Sequence, residues 1–201
     1  ALLLLLAQFA LCLGQDEEQT RRLAALGAPS ALSVGNLKYA AQPLDADETL
    51  LTVIGTALDR RPVWLASSTH AGEEAVGGRV HRALAPAHPR LLTMIAPRHP
   101  DRAPEIVAEL QAQGLTVARH SLRQMPLDAD VFLADTLGEL GLFYRLAPIV
   151  FMGKTLLHDG GHNPLEPAQL GCALVSGPHM QNFAAVQEKL RAAGAVVEVA
   201  D

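Results

Sequence analysis

Cysteine is scarce in this sequence, because only Cys12 and Cys172 occur among its 201 residues. The two lie far apart, and neither has a neighbour at the spacing of a metal site, which argues against a cysteine-based metal centre. So few cysteines are typical of a reducing compartment. We interpret both as small apolar residues of the core.

A long apolar run is also missing. The most apolar stretch, Ala1 to Leu13, contains Gln8, lacks basic residues before it and is too short to span a bilayer as a helix. We interpret it as a buried helix end followed by a strand. Because the sequence begins without a methionine, we expect it to be an internal piece of a longer protein.

Basic residues are outnumbered, since 16 Lys and Arg against 21 Asp and Glu give a formal net charge of −5. No basic stripe is available to neutralise phosphates, which argues against broad nucleic-acid binding. Repeats and low-complexity tracts are absent as well. With 49% hydrophobic residues, the chain can bury a full core and fits one large or two small domains.

Strand and helix patterns alternate along the chain. The predicted strands are continuous apolar runs such as 62–67, 91–96, 147–152 and 173–176, and helical patterns separate them. This alternation predicts an α/β fold with a doubly wound parallel sheet that is covered on both faces. Pro43 and the acidic residues Asp45 to Glu48 indicate a linker between one α/β unit and the next.

Polar sequences follow the predicted strands at one end only. They are Ser67–His70, Arg98–His99, Asp135–Thr136, Gly153 with Gly160–Asn163, and Gly177–His179. The loops at the other end, such as those at Gly114 and Gly194, are plain helix stops. Ligands of parallel α/β sheets bind at the carboxyl ends of the strands. The asymmetry therefore predicts a site along that edge of the sheet.

The segment from Gly160 to Pro167 combines a glycine-rich loop with a helix start. Asn163 is a suitable N-cap, Pro164 suits the first helical position, and Glu166 falls in the first turn. Such a junction offers backbone N–H groups and a positive helix end to an anion. Glu166 adds a carboxylate that can accept hydrogen bonds from sugar hydroxyls. A purely structural turn before a capped helix remains the alternative.

Other residues at this edge also allow two interpretations. Arg98 can clamp a phosphate or form a surface salt bridge. Thr136 with Gly138 can contact a phosphate or ribose, or Thr136 can be an ordinary N-cap. Glu73 and Glu74 lie in a predicted first turn, where the helix dipole alone accounts for them.

The histidines and serines do not form a recognised catalytic or metal motif. His70, His99, His162 and His179 lack zinc spacing, so no metal site is expected. Ser68, Thr69 and His70 lack the Gly-x-Ser-x-Gly context of a nucleophile elbow.

Five segments, taken in order, resemble the motifs of the 3-deoxy-D-manno-octulosonic acid (Kdo) transferase family. They are Asn36–Tyr39, Ser67–Glu74, Pro97–Pro100, Asp135–Gly141 and Gly160–Pro167. The resemblance implies a GT-B glycosyltransferase, with two Rossmann-like domains and a cleft between them. Residues 1–43 would end the N-terminal, acceptor-side domain. Residues 44–201 would form most of the C-terminal domain, which binds CMP-Kdo.

The resemblance also implies an activity and a location. Such enzymes transfer Kdo from CMP-Kdo to the lipid A precursor (lipid IVA) by an inverting displacement, in lipopolysaccharide core biosynthesis. They act at the cytoplasmic face of the inner membrane of Gram-negative bacteria, without a cofactor or metal and without nucleic acid. Two alternatives are a sugar-nucleotide 2-epimerase of the same fold, which would use UDP-GlcNAc, and a nucleotide-binding module without activity.

The resemblance implies a set of donor-binding residues: Ser68, Thr69, Arg98, His99, Thr136, Leu137, Gly138, Gly153, Gly160, Gly161, Asn163 and Glu166. Arg98 would contact the CMP phosphate, Gly161 and Asn163 would line the nucleotide, and Glu166 would hold the ribose hydroxyls. The family's catalytic base is a glutamate in an N-terminal segment that is absent here. We therefore expect no catalytic residue in this chain, which should bind the nucleotide and transfer nothing.

Two positions depart from the family pattern. Lys154-Thr155 stands where the family more often has Gly-Ser, which would alter a contact to a phosphate or to the Kdo carboxylate. Leu137 replaces a frequent methionine, a change that conserves volume.

Overall fold

The structure is a computed structural model that describes residues 5–35 and 37–200. The chain divides into two compact units, Ala1–Gln42 and Pro43–Asp201. Ala1–Leu4, where the apolar stretch begins, and Asn36, the first residue of one motif, lie outside the described residues. Within the described ranges, no helix has both the length and the apolar character needed to cross a bilayer.

The first unit contains one strand–helix–strand sequence. Strands β1 (Cys12–Gly14) and β2 (Ala31–Ser33) pair in parallel, and helix α1 (Glu17–Ala25) connects them. Asp16 begins the helix, because its carboxylate accepts a hydrogen bond from the Gln19 N–H at 2.7 Å.

The second unit is built on a parallel sheet of seven strands. They are β3 (Val63–Thr69), β4 (Leu92–Pro97), β5 (Val117–Arg119), β6 (Val131–Leu133), β7 (Ile149–Met152), β8 (Ala173–Ser176) and β9 (Val196–Glu198). Their spatial order is β5-β6-β4-β3-β7-β8-β9. The predicted α/β fold with a doubly wound parallel sheet is confirmed.

Six helices of this unit are described. They are α2 (Glu48–Leu58), α3 (Glu73–Leu84), α4 (Ala103–Ala112), α5 (Leu140–Leu146), α6 (Leu165–Gln169) and α7 (Ala184–Ala192). The helices lie on both faces of the sheet because successive strand residues point to opposite faces. Leu65 packs into one buried cluster with Met94 and Phe132. Its neighbour Ala66 packs into the other with Ile95 and Ile106.

The strand order reverses between β3 and β7. The chain runs outward from β3 through β4 on one side, then returns to begin β7 on the other side. The loops after these two neighbouring strands lead to opposite halves of the sheet and leave a crevice, which is the usual ligand position in open α/β sheets.

The helix predicted to open at Asp135 begins later, at Leu140. Asp135 is buried, and it accepts hydrogen bonds from the Ser121 N–H at 2.9 Å and from Arg119 Nε at 2.8 Å. Burial alone would raise the pKa of Asp135, but the hydrogen bonds from Ser121 and Arg119 outweigh it and hold the pKa below its ordinary value. Asp135 therefore fixes the loop after β5 instead of capping a helix.

Candidate functional site

Five loops meet at the carboxyl edge of the sheet, and we call them the rim loops. They follow β3 (68–72), β4 (98–99), β6 (134–139), β7 (153–164) and β8 (177–180). The twelve residues predicted to bind the ligand all belong to these loops, to the last residue of β3 or to the first turn of α6. The parallel sheet therefore brings them to one edge.

Glu73 joins the loop after β3 to the loop after β7. Its side chain is buried, and one carboxylate oxygen accepts hydrogen bonds from the N–H groups of His70 at 2.9 Å and Lys154 at 2.8 Å. The other oxygen faces the N–H groups of Thr155 at 3.3 Å and Leu156 at 3.4 Å. The interpretation of Glu73 as a residue that only favours the helix dipole was wrong, because four backbone donors depend on it.

Thr155 joins the loop after β7 to the loop after β8. It is fully buried, and its hydroxyl oxygen accepts a hydrogen bond from the Gly177 N–H at 2.8 Å. Its carbonyl accepts another from the His179 N–H at 3.0 Å. A serine would supply the same hydroxyl, so the threonine leaves this connection intact.

The strand ends approach each other closely where β3 and β7 finish. A Cβ atom on Gly153 would lie 2.4 Å from the Ser68 carbonyl oxygen, so only glycine fits. Ser68 and Lys154 both adopt positive φ, 55° and 60°, which costs energy for residues with a side chain. Gly153 is therefore required by the sheet, and the strained backbone of its neighbours lies at the crevice.

The interpretation of Glu74 as a residue that only favours the helix dipole was also wrong. It is fully buried, accepts a hydrogen bond from Thr69 Oγ1 at 2.9 Å and forms an ion pair with Arg102 at 2.9 Å. The Thr69 hydroxyl therefore points into the protein and not toward the crevice. The Thr69 carbonyl accepts from the Arg98 N–H at 3.0 Å, which places Arg98 beside the end of β3.

Arg98 is exposed at the rim. Within the described ranges its guanidinium makes no hydrogen bond or ion pair, so the salt-bridge interpretation of Arg98 is not supported. The side chain is available for an anion, and its fork matches phosphate or carboxylate oxygens.

Four histidines gather between the loops after β3, β4 and β7, and we call them the histidine cluster: His70, His99, His158 and His162. Nε2 of His70 lies 3.0 Å from Nε2 of His162, and the two rings are nearly parallel, with centroids 5.2 Å apart. The His70 ring centroid lies 5.8 Å from that of His99 and 5.6 Å from that of His158. Sequence spacing did not reveal this cluster, because its members come from three separate loops.

The histidine cluster lies near the positive charges of Arg98 and Lys154. Burial, followed by the nearby charges of His70, Arg98 and Lys154, lowers the pKa of His162 to about 4. Burial is also the main cause that lowers the pKa of His70. In the part of the chain that the structure describes, no three His, Cys, Asp or Glu side chains are arranged to hold a metal ion.

The segment from Gly160 to Pro167 differs in part from its prediction. The N–H of Gly160 donates to Gln181 Oε1 at 3.0 Å, and the N–H of Gly161 donates to the Lys154 carbonyl at 3.0 Å. Helix α6 begins at Leu165, one residue later than predicted, and has five residues. Two backbone N–H groups of this junction are therefore engaged within the protein and are not offered to an anion.

Asn163 and Glu166 form the polar end of this segment. Asn163 Oδ1 accepts a hydrogen bond from the Leu165 N–H at 3.2 Å, and its Nδ2 donates to Glu166 Oε1 at 3.0 Å. Glu166 is half-buried. Its carboxylate is thus held in place while its second oxygen can still accept from a ligand.

Thr136, Leu137 and Gly138 form the rim loop after β6. The residue that caps α5 is Glu139, so the N-cap interpretation of Thr136 was wrong. Among the described residues, the buried Thr136 Oγ1 has no hydrogen-bond partner. Leu137 is 76% exposed. The loop therefore combines a buried, unsatisfied hydroxyl with an exposed apolar side chain.

A cavity of about 490 Å³ lies beside α3, with Glu73 and Leu156 among its lining residues. Its walls are mostly apolar and include Trp64, Val80, Ile149 and Phe151. Such walls suit apolar packing, so the rim loops and not this cavity are the candidate site for a charged ligand.

No family model matches the chain, but individual proteins do. The chain is 36% identical over 200 residues to the 3-deoxy-D-manno-octulosonic acid transferase of Haemophilus influenzae, which covers 96% of this chain and 46% of that protein. It is also 36% identical to the enzyme of the same name from Bordetella pertussis, over 94% of this chain and 45% of that protein. The chain thus spans less than half the length of these curated relatives.

A solved structure matches as well. It is the C-terminal CMP-Kdo binding domain of WaaA from Acinetobacter baumannii, with a TM-score of 0.72 and 32% sequence identity. The match covers 76% of this chain and 81% of that domain. The fold, the order of the motifs and these likenesses agree, and the chain belongs to the 3-deoxy-D-manno-octulosonic acid transferase family.

Proposed function

We propose that this chain binds CMP-Kdo at its rim loops and is the donor-binding part of a Kdo transferase. The observation that carries the proposal is the Arg98 guanidinium, which has no partner among the described residues and lies at the same edge as the Asn163–Glu166 pair. This edge belongs to a sheet whose fold matches a domain that binds CMP-Kdo. In this proposal residues 1–43 end the acceptor-side domain, and residues 44–201 bind the donor.

Each rim residue has a role in the proposal. Arg98 neutralises the phosphate of CMP, and Glu166 accepts hydrogen bonds from the ribose hydroxyls. Asn163 holds Glu166, and Thr136 lies beside the ligand in the loop after β6. The remaining contacts line the crevice: Ser68, Thr69, His99, Leu137, Gly138, Gly153, Gly160 and Gly161.

The full-length protein transfers Kdo to a lipid A precursor (lipid IVA) in lipopolysaccharide core biosynthesis, with inversion, in a GT-B cleft at the inner membrane of a Gram-negative bacterium. Inverting transfer needs a general base near the acceptor hydroxyl. Within the described ranges, Glu73 is occupied by four N–H groups and Glu74 by Arg102, while Glu166 is held by Asn163. We therefore expect that this chain binds the donor and that the base lies elsewhere in the full-length protein.

The first test is titration calorimetry of the purified chain with CMP and with UDP. We expect CMP to bind and UDP to bind at least tenfold more weakly. Tighter binding of UDP would favour the 2-epimerase alternative and overturn the proposal. Kdo transfer from CMP-Kdo to lipid IVA by the purified chain alone would contradict the placement of the base elsewhere.

Glu166→Ala tests the ribose contact directly. Removing charge-assisted hydrogen bonds to two hydroxyls should weaken CMP binding roughly ten- to a hundredfold, or about 1.5–3 kcal/mol. A 2′,3′-dideoxy analogue of CMP, which lacks those hydroxyls, should bind both proteins equally. Glu48→Ala is the matched control, because Glu48 is an exposed glutamate in the first turn of α2. A lower melting temperature with unchanged CMP affinity would show that Glu166 acts only in the structure.

A further inference from the structure

The crevice between the loops after β3 and β7 has an excess of positive and protonatable groups. Six side chains contribute to it: His70, Arg98, His99, Lys154, His158 and His162. Glu73 is the acidic group facing His70 and His162, and its two oxygens are already engaged by backbone N–H groups. Asp159 pairs with His179 at 2.9 Å. Arg98 and Lys154 therefore supply the positive charge beside His162, and the carboxylate of Glu73 opposes it.

His70, Lys154 and His162 are held relative to one another by the main chain. Glu73 binds the N–H groups of both His70 and Lys154. The Lys154 carbonyl accepts from the N–H of Gly161, the residue before His162. Lys154 also keeps a positive φ of 60°, which is costly for lysine and is typical of residues held at a functional site. The backbone at these three residues is thus held in place without any ligand.

The proposed donor carries two separate anionic groups. One is the phosphate that links the nucleoside to the sugar, and the other is the carboxylate of the sugar acid. Within the described ranges Arg98 is an unpaired guanidinium, and it suits one of them. The imidazoles and the ammonium of Lys154 supply donors for the second.

We propose that His70, Lys154 and His162 form the subsite that binds the carboxylate of the donor sugar acid, separate from the phosphate at Arg98. This inference rests on the proposed function and adds its second anion site. The carboxylate accepts hydrogen bonds from the imidazole N–H groups and from the Lys154 ammonium. The 3.0 Å contact between the two Nε2 atoms is exchanged for contacts to the ligand.

Carboxylate binding at this subsite also takes up a proton. His162 faces His70, Arg98, Lys154 and Glu73, and His70 faces His99 and His158 in addition. Burial, and after it the positive neighbours, lowers the pKa of both imidazoles, and a bound anion favours their protonated form. Binding of CMP-Kdo, which brings the additional carboxylate, should therefore be accompanied by a larger proton uptake than binding of CMP.

The test compares CMP with CMP-Kdo on wild type, His70→Ala, His162→Gln and Lys154→Gln. Each substitution should weaken CMP-Kdo binding about ten- to a hundredfold and change CMP binding less than twofold. Calorimetry in two buffers of different ionisation enthalpy should show proton uptake with CMP-Kdo in wild type and a smaller uptake in His162→Gln. His88→Gln and Arg60→Gln are matched controls. His88 and Arg60 are exposed at the other end of the sheet, and Arg60 also has a positive φ, 57°.

Three results would overturn the subsite. Equal losses for CMP and CMP-Kdo would place these side chains at the phosphate, and unchanged CMP-Kdo affinity would remove them from the site. Loss of both ligands with a collapsed melting transition in Lys154→Gln and His162→Gln would mean that they act only in the fold. A wild-type chain that binds neither CMP nor CMP-Kdo would instead overturn the proposed function, and the subsite with it.

Discussion

Two charged side chains connect loops at opposite ends of the sheet. At the amino edge, Arg61 donates hydrogen bonds to backbone carbonyls before β4 and β6, including Arg90 at 2.7 Å, Leu91 at 3.0 Å and Pro126 at 2.6 Å. At the carboxyl edge, Glu73 accepts from backbone N–H groups after β3 and β7. The Arg61 guanidinium donates to backbone carbonyls where the strands begin. The Glu73 carboxylate accepts from backbone N–H groups where the strands end.

The difference lies in what surrounds each of them. The Arg61 contacts are to main chain of connecting loops, so they hold the scaffold alone. The Glu73 contacts fix His70 and Lys154, whose side chains face the crevice. A change at Arg61 should therefore alter stability only, whereas a change at Glu73 should alter both stability and ligand binding.

The largest effect is expected for Arg61→Ala. It leaves several carbonyls without their charged donor, and water can replace only part of these bonds because the side chain is half-buried. We expect a loss of about 3 kcal/mol and a melting temperature lower by about 6–12 °C. Thermal unfolding of Arg61→Ala beside Arg60→Ala measures this. The CMP affinity of Arg61→Ala should stay within twofold of the wild-type value. A tenfold loss of affinity would contradict the claim that Arg61 affects stability alone.

Glu73→Gln should have a smaller effect on stability and a clear effect on binding. The amide keeps the shape of the side chain but replaces one acceptor oxygen with an NH₂ group, which opposes the backbone donors. We expect about 2 kcal/mol of destabilisation, or about 4–8 °C, with a CMP-Kdo affinity about tenfold lower. Thermal unfolding and calorimetry on the same preparation measure both.

Glu48→Gln is the control for this prediction, since Glu48 is also a first-turn glutamate but is exposed. It should change stability by less than about 1 kcal/mol and leave CMP-Kdo binding unaltered. If Glu73→Gln behaves like Glu48→Gln, the connection between the two loops contributes little and our account of the carboxyl edge is wrong.

The smallest expected effect is the dependence of stability on pH at His162. The pKa of His162 is about 4 in the folded protein, below the ordinary value of about 6.5. Between these values the unfolded chain binds a proton that the folded chain does not, so this contribution is complete above pH 6.5 and is lost as the pH falls toward 4. Urea unfolding at pH 7.5 and pH 5 should show a smaller decrease for His162→Gln than for wild type. An identical decrease in the free energy of unfolding of both proteins would contradict the prediction that His162 contributes to this pH dependence.

The sequence predicted the sheet and the edge at which the polar loops lie. Both follow from local patterns, because apolar runs such as 62–67 and 91–96 indicate buried strands and polar residues follow them at one end. The residues predicted from the family motifs also fall on that edge. Local patterns do not predict which groups each of these residues contacts.

The corrections share one physical cause, which is contact between distant parts of the chain. Glu73 looks like an ordinary first-turn glutamate until the loop after β7 places Lys154 against it. The N–H groups of Gly160 and Gly161 look available until Gln181 and Lys154 accept their hydrogen bonds. The histidine cluster likewise forms only when the sheet brings His70 beside His162.

The boundary where β3 pairs with β7, which we call the seam, affects how the protein folds and unfolds. Strand β3 pairs with β4 through a short crossover, whereas its pairing of Trp64 with Ile149 closes a much longer loop. Loop-closure entropy makes the longer closure the costlier step, so we expect the two half-sheets to join late in folding. A ligand that touches both sides of the seam stabilises contacts formed after the transition state. Donor binding would then prolong the lifetime of the folded state without making folding faster.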